Sequence, residues 1–158
     1  MDAPERLTKL KSADALARAG KFDEAAAACD AVLAAHAEDP TANNLKGVCL
    51  AGAGKSKEAI PYFLAARKGA PDDASIRFNL AQAYIDAEVY NKALEEYDKI
   101  LELTPEDPMA RLARGALRRN AGDERGARKD LEEAVRLDKS LETVVDELIR
   151  APKPERKA

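Results

Sequence analysis

Tryptophan is absent from this 158-residue chain, and aromatic residues make up only 4% of it. No large aromatic cluster can therefore organise the core. Histidine occurs once, at His36, and cysteine twice, at Cys29 and Cys49, without CxxC spacing. A His/Cys zinc site cannot be assembled from that set. Both cysteines lie in alanine-rich helical sequence and are expected to be buried small thiols, not a disulfide or metal pair. No apolar run approaches the ~18 residues needed to cross a bilayer. The start, Met1-Asp2-Ala3-Pro4-Glu5-Arg6, lacks the basic and apolar regions of a signal peptide. A cytoplasmic protein is expected, with a removed export signal as the alternative.

Catalytic constellations are missing too. One histidine gives no Ser/His/acid arrangement. The carboxylate pairs Glu95/Glu96 and Glu132/Glu133 are adjacent on helical sequence, so their side chains diverge by about 100° and do not converge on a substrate. Gly52-Ala53-Gly54-Lys55-Ser56 ends like a phosphate-binding loop. Cys49 stands where the first glycine of that motif is needed, however, and helical sequence precedes it where a strand is required. Neither an enzyme nor a cofactor is expected.

Alanine and charge are plentiful. Hydrophobic residues reach 46% and charged residues 35%, with a net charge of only −3. Alanine favours helices that lie close together, and balanced charge suits solvated helix faces with no general pull towards nucleic acid or membrane. Small residues also set a period. Ala25, Ala59, Ala93 and Ala127 are spaced by 34 residues, as are Ala13, Gly47, Ala81 and Gly115. Gly20, Gly54, Glu88 and Gly122 keep the same register between them. The first two sets predict paired antiparallel helices in close approach. The third predicts the turn between them, where glycine accepts the left-handed conformation. Glu88 breaks that rule, and either a differently closed turn or a glutamate in non-helical conformation is expected there. In the third period, Leu80, Ala81 and Tyr84 form one helical stripe, and Ala93, Tyr97 and Ile100 another. Pro71 and Pro105 end second helices.

These residues resemble the tetratricopeptide repeat family. Ala81, Tyr84, Ala93, Tyr97 and Pro105 match its pattern in the third repeat, and Gly47, Gly54, Ala59, Phe63 and Pro71 in the second. Repeats one and four depart from it, with Cys29 and Leu131 at the aromatic position and Ala37 and Lys139 at the proline. The resemblance implies an all-α, right-handed solenoid of four helix-turn-helix repeats, at 6–39, 40–73, 74–107 and 108–141, after an N-terminal extension 1–5. The apolar stripe Leu141, Val144, Val145, Leu148 and Ile149 predicts a capping helix over 142–150. The proline-containing tail 151–158 is expected to be disordered.

The resemblance also implies a protein-interaction adaptor that binds a partner peptide or helix in a concave groove lined by first helices. Asn44, Val48, Phe78, Asn79, Gln82, Asp86, Leu112 and Arg119 are the groove residues it points to. Apolar contact would come from Phe78 and Leu112, and amide hydrogen bonding from Asn79 and Gln82. Some family members clamp a C-terminal carboxylate. Asn79 suits such a clamp, but Leu10, Asn44, Ser75 and Met109 occupy the places its lysines need, so none is expected here. Rival readings are a scaffold that self-assembles through the 141–150 helix or the groove, and a dedicated secretion chaperone of this repeat class.

Charge differs by repeat. The third carries three basic against eight acidic residues, and the fourth nine against six. Arg111, Arg114 and Arg118 share one helix face. They are expected to pair with acids of the preceding second helix (Glu95, Glu96, Asp98, Glu102), or alternatively to dock an acidic partner.

Overall fold

The computed structural model describes residues 1–152. The described residues form nine α-helices and one short 3-10 turn, with no strand. The helices are α1 Ala3–Arg18, α2 Phe22–Ala35, α3 Pro40–Gly52, α4 Ser56–Gly69, α5 Ala74–Asp86, α6 Tyr90–Leu103, α7 Pro108–Ala121, α8 Glu124–Leu137 and α9 Glu142–Arg150, with the 3-10 turn at Lys139–Leu141 before α9. The first eight are joined two by two through short turns, and α9 follows as a ninth. Of the tail expected over 151–158, residues 153–158 lie outside the described residues.

Aspartates start the first helices. Asp39, Asp73 and Asp107 precede α3, α5 and α7 at the same 34-residue spacing. Each turns a carboxylate back onto the backbone N–H groups that the first helical turn leaves without partners. Asp39 accepts from the Ala42 N–H at 2.8 Å, Asp73 from those of Ser75 and Ile76 at 2.8 and 3.3 Å, and Asp107 from that of Ala110 at 2.9 Å. The Ser75 hydroxyl, together with these amides, holds the Asp73 carboxyl below its usual range, against the opposing effect of partial burial. Asp39 also pairs with Arg6 of α1, which ties the first repeat to the start of the second.

The turns inside the pairs close alike. In each, a backbone N–H reaches over to a carbonyl five residues earlier: Lys21 to Leu16 at 2.9 Å, Lys55 to Leu50 at 2.8 Å, Val89 to Tyr84 at 2.8 Å and Asp123 to Arg118 at 2.9 Å. This closure needs a left-handed residue just before the donor. Gly20, Gly54 and Gly122 supply it with φ of 76°, 79° and 89°, and Glu88 adopts φ of 62°. The third turn is therefore closed like the others, with glutamate in a conformation that costs an L-residue about 1–2 kcal/mol.

Two compact units divide in sequence inside α6, the first running Met1–Ala93 and the second from Leu94 onward. Small-against-large contacts build the first. A Cβ added at Gly47 would lie 2.6 Å from the Phe63 ring, and one at Gly52 would lie 2.5 Å from the Phe22 ring. Phe63 is thereby buried against the α3 backbone, a burial that contributes about 1.5–3 kcal/mol. One cluster joins Ala13, Cys29 and Leu45, and another Leu10, Val32 and Ala42. The second unit repeats the device, since a Cβ on Gly115 would lie 2.9 Å from Leu131. Its core is Ala110, Leu117, Ala127, Leu131 and Ala134, closed by Leu141 and Val145.

Cys29 and Cys49 are both free and buried. Burial, with Cys49 adding to it, pushes the Cys29 thiol up to about 12, and burial likewise raises the Cys49 thiol. Burial, followed by the charge of Asp107, pushes the Tyr97 phenol up to about 12.

Two outcomes follow from the turns and the buried acids. Glu88→Gly should stabilise the fold and Gly54→Ala destabilise it, each by about 1 kcal/mol, because a Cβ at Gly54 meets no neighbour and only its backbone conformation resists it. Urea denaturation midpoints report both. An unfolded chain ionises its thiols near pH 9 and its tyrosines near pH 10, whereas the fold keeps Cys29 and Tyr97 protonated up to about 12. Stability should therefore fall as pH rises from 9 towards 12, and Tyr97→Phe should flatten the upper part of that fall. Denaturation at a series of alkaline pH values checks the slope.

Candidate functional site

In the first unit, α1 packs beside α3 and α3 beside α5, so first helices are neighbours on one face. Asn44 of α3 and Asn79 of α5 meet there, the Asn79 Nδ2 donating to the Asn44 Oδ1 at 3.1 Å. One donor group, the Asn44 amide nitrogen, and one acceptor, the Asn79 amide oxygen, are left over from that bond. Val48 and Phe78 are half-buried, while Gln82 and Asp86 are exposed further along α5. The Gln82 amide donates to one Asp86 oxygen at 3.2 Å, and the Ser56 hydroxyl to the other at 2.8 Å. A cleft of about 360 Å³ opens between α1 and α3, lined by Leu7, Leu10, Lys11, Asp14, Thr41 and Asn44 among others. The structure therefore brings Asn44 and Asn79 into contact and links Gln82 to Asp86.

The same region settles the phosphate-loop look-alike. Gly54 closes α3, Lys55 precedes α4, and a helix, not a strand, leads into them. The Ser56 hydroxyl faces a carboxylate, Asp86, which would repel a phosphate at that place.

Leu112 and Arg119 belong to the second unit. Leu112 is half-buried on α7, at the register position that Asn44 and Phe78 hold in earlier repeats. Arg119 is 7% exposed, and its guanidinium donates to the carbonyls of Ile149, at 3.3 Å, and Ala151. A cation there satisfies C-terminal carbonyls of α9 and complements that helix's dipole. Arg119 thus fastens the last helix, and it lines the hollow between α8 and α9.

The arginine stripe of α7 surrounds an acid that sequence reasoning missed. Asp130 of α8 is fully buried, and burying a lone carboxylate costs several kcal/mol. Arg114 grips it bidentately, at 2.8 and 2.7 Å, while Arg118 reaches it at 2.9 Å and Arg111 at 3.3 Å. Pairing with the preceding second helix is present as well, through Arg114 to Asp98 at 2.7 Å. Arg111 has a further duty, donating to the Pro105 carbonyl at 3.1 Å much as Arg77 donates to that of Pro71 at 2.9 Å, one period earlier. A signal for Asp130 was present: it lies with Ala127, Leu131 and Ala134 on the apolar stripe of α8, where an acid needs a reason.

The tetratricopeptide repeat pattern matches this chain over residues 10–74 and again over residues 50–117. The chain belongs to the tetratricopeptide repeat family. Among curated proteins, none matches it. Solved structures of MamA do. A MamA RS-1 ArsTM double mutant is 25% identical with a TM-score of 0.80, covering 90% of this chain and 80% of its own. MamA 41-end from Desulfovibrio magneticus RS-1 is 26% identical with a TM-score of 0.79, covering 87% of this chain and 77% of its own. A third MamA crystal structure, at 18% identity and a TM-score of 0.80, shows the likeness of fold alone. As a tetratricopeptide repeat protein, the chain is a protein-interaction module. No helix of the described residues is long and apolar enough to cross a membrane.

Removing the acid at the centre of the arginine cluster tests its weight. Asp130→Ala leaves three guanidiniums crowded together, all on mostly buried side chains, and should lower stability by about 3–5 kcal/mol. Asp98→Ala removes only the half-exposed partner and should cost about 1 kcal/mol or less. Chemical denaturation of the two variants side by side separates these sizes.

Proposed function

We propose that this tetratricopeptide repeat protein acts without catalysis, holding a segment of a partner protein on the α3/α5 face around Asn44, Val48, Phe78, Asn79 and Gln82. The observation that carries this reading is the Asn44–Asn79 amide pair, which spans two neighbouring helices beside half-buried apolar side chains. Its leftover donor and acceptor suit a peptide backbone, which offers one of each per residue. Val48 and Phe78 add apolar surface next to them, the combination that concentrates binding energy in a few residues. Asp86 sits at the end of this row and favours a partner with a basic group near that point. Leu112 continues the register in α7. Arg119 is left out, because its guanidinium is engaged with α9. The repeat boundaries 40–73 and 74–107 go with this reading, since they place one face residue set on each first helix.

A photo-crosslinking residue in place of Gln82, used in a lysate of the source cells, would capture the occupant, and mass spectrometry would identify it. With that partner in hand, Phe78→Ala combined with Asn79→Ala should weaken binding roughly tenfold or more, equivalent to about 1.4 kcal/mol or above. Circular dichroism should show helicity retained. Binding that is unchanged in the double variant would sink the assignment of this face.

A further inference from the structure

The 34-residue register does not stop at the fourth pair. Ile149 of α9 stands 34 residues after Gly115, at the position that Ala13, Gly47 and Ala81 hold in α1, α3 and α5. On first helices this position takes a larger side chain from the second helix of the same pair: Gly47 takes Phe63 and Gly115 takes Leu131. By that register α9 is a fifth first helix. No second helix answers it among the described residues, and Ile149 is 55% exposed.

The place beside α9 has a definite shape and charge. A hollow of about 500 Å³ runs between α8 and α9, with Leu131, Val135, Val145 and Ile149 as its apolar lining. Arg119, in the last turn of α7, holds the carbonyls of Ile149 and Ala151, which sets the end of α9 beside the start of α8. The two helices are thus antiparallel, and Glu132 and Glu142 share the other end of the hollow. Both are exposed, and neither has an ion-pair partner among the described residues. Asp146 is already paired with Arg150 at 3.6 Å, while Glu124 and Arg128 line the near end with opposite signs. Uncommitted charge of one sign therefore lies at the Glu132/Glu142 end.

We infer that a partner protein lays an amphipathic helix in this hollow, in the place of a fifth second helix. Second helices run antiparallel to their first helices, so this one starts near Ile149 and ends near Glu132 and Glu142. Its last turn carries lysine or arginine, which those acids and its own helix dipole both favour. The large residue, Ile149, is here on the first helix, so the residue facing it is alanine or glycine, and a bulkier one overpacks the contact. Apolar residues one turn to either side cover Leu131, Val135 and Val145. A contact made by one helix is small, which makes the association weak and reversible.

A synthetic helix tests this on the whole chain. The probe is a lactam-bridged 14-residue peptide, the length of α2, α4, α6 and α8, with alanine in the middle of its apolar row and lysines in its last turn. Fluorescence anisotropy should show saturable binding that weakens with added salt. Glutamates in place of those lysines should weaken it roughly tenfold or more, and Ile149→Lys should do the same. Size should be exchangeable: a twin peptide with phenylalanine for the central alanine should bind the native chain poorly and recover on Ile149→Ala. Circular dichroism should show native helicity in both variants. Glu132→Lys with Glu142→Lys repeats the charge test without touching the apolar lining. No saturable binding of the lysine peptide, equal binding of the lysine and glutamate peptides, or binding indifferent to Ile149 overturns the inference. So does self-association, read by sedimentation, that Ile149→Lys abolishes, since a second copy then fills the hollow. Every substituted residue lies outside the α3/α5 face, so failure here leaves the partner-binding reading standing.

Discussion

Everything regular in this protein depends on how closely two helices of a pair can approach. At Gly47 the Phe63 ring occupies the space where any other residue would carry its Cβ, and at Gly115 the Leu131 side chain does the same. Small residues on a first helix and a bulky one on the second make the two backbones near neighbours, and that distance fixes where the connecting turn must close. The turn then has little freedom. Four times the same N–H reaches the same carbonyl five residues back, even where Glu88 must take a conformation that glycine adopts without cost. Packing that forces glutamate into a left-handed turn has outweighed local preference.

Acids serve three physically distinct purposes here. Asp39, Asp73 and Asp107 cap helices, because a short carboxylate reaches the amides that the first turn leaves bare. Asp130 sits buried beneath three arginines and binds α7 to α8 by charge as well as by packing. Glu124, Glu132, Glu142 and Asp146 surround the end pocket, where the chemistry is that of a surface. Identical functional groups thus act as cap, core and surface, and the difference lies in their burial and in what faces them.

The fold was legible in the sequence because its determinants recur. A small residue every 34 positions, a turn residue in fixed register and prolines after second helices are local signals, and repetition separates them from chance. The aspartate caps kept the same spacing and were equally readable, though the small residues alone had already set the register. The face residues were legible only in part. Asn44 and Asn79 could be placed on first helices from register, but their mutual hydrogen bond depends on how α3 and α5 lie side by side. Arg119 had the register of a groove residue and became the clasp of α9, because a helix end in need of cations arrived beside it.

By itself, the sequence determined the helices, their pairing and the positions of the turns, since each rests on residues near in the chain and on backbone geometry. Only the tertiary structure decided which charges are structural and which are presented. That choice turns on which atoms are brought within 3 Å of one another and which are removed from water, and neither is written in the order of the residues. Arg111, Arg114 and Arg118 read as partners for the acids of the preceding second helix, or for an acidic partner, until Asp130 is found beneath them, fully buried in their midst.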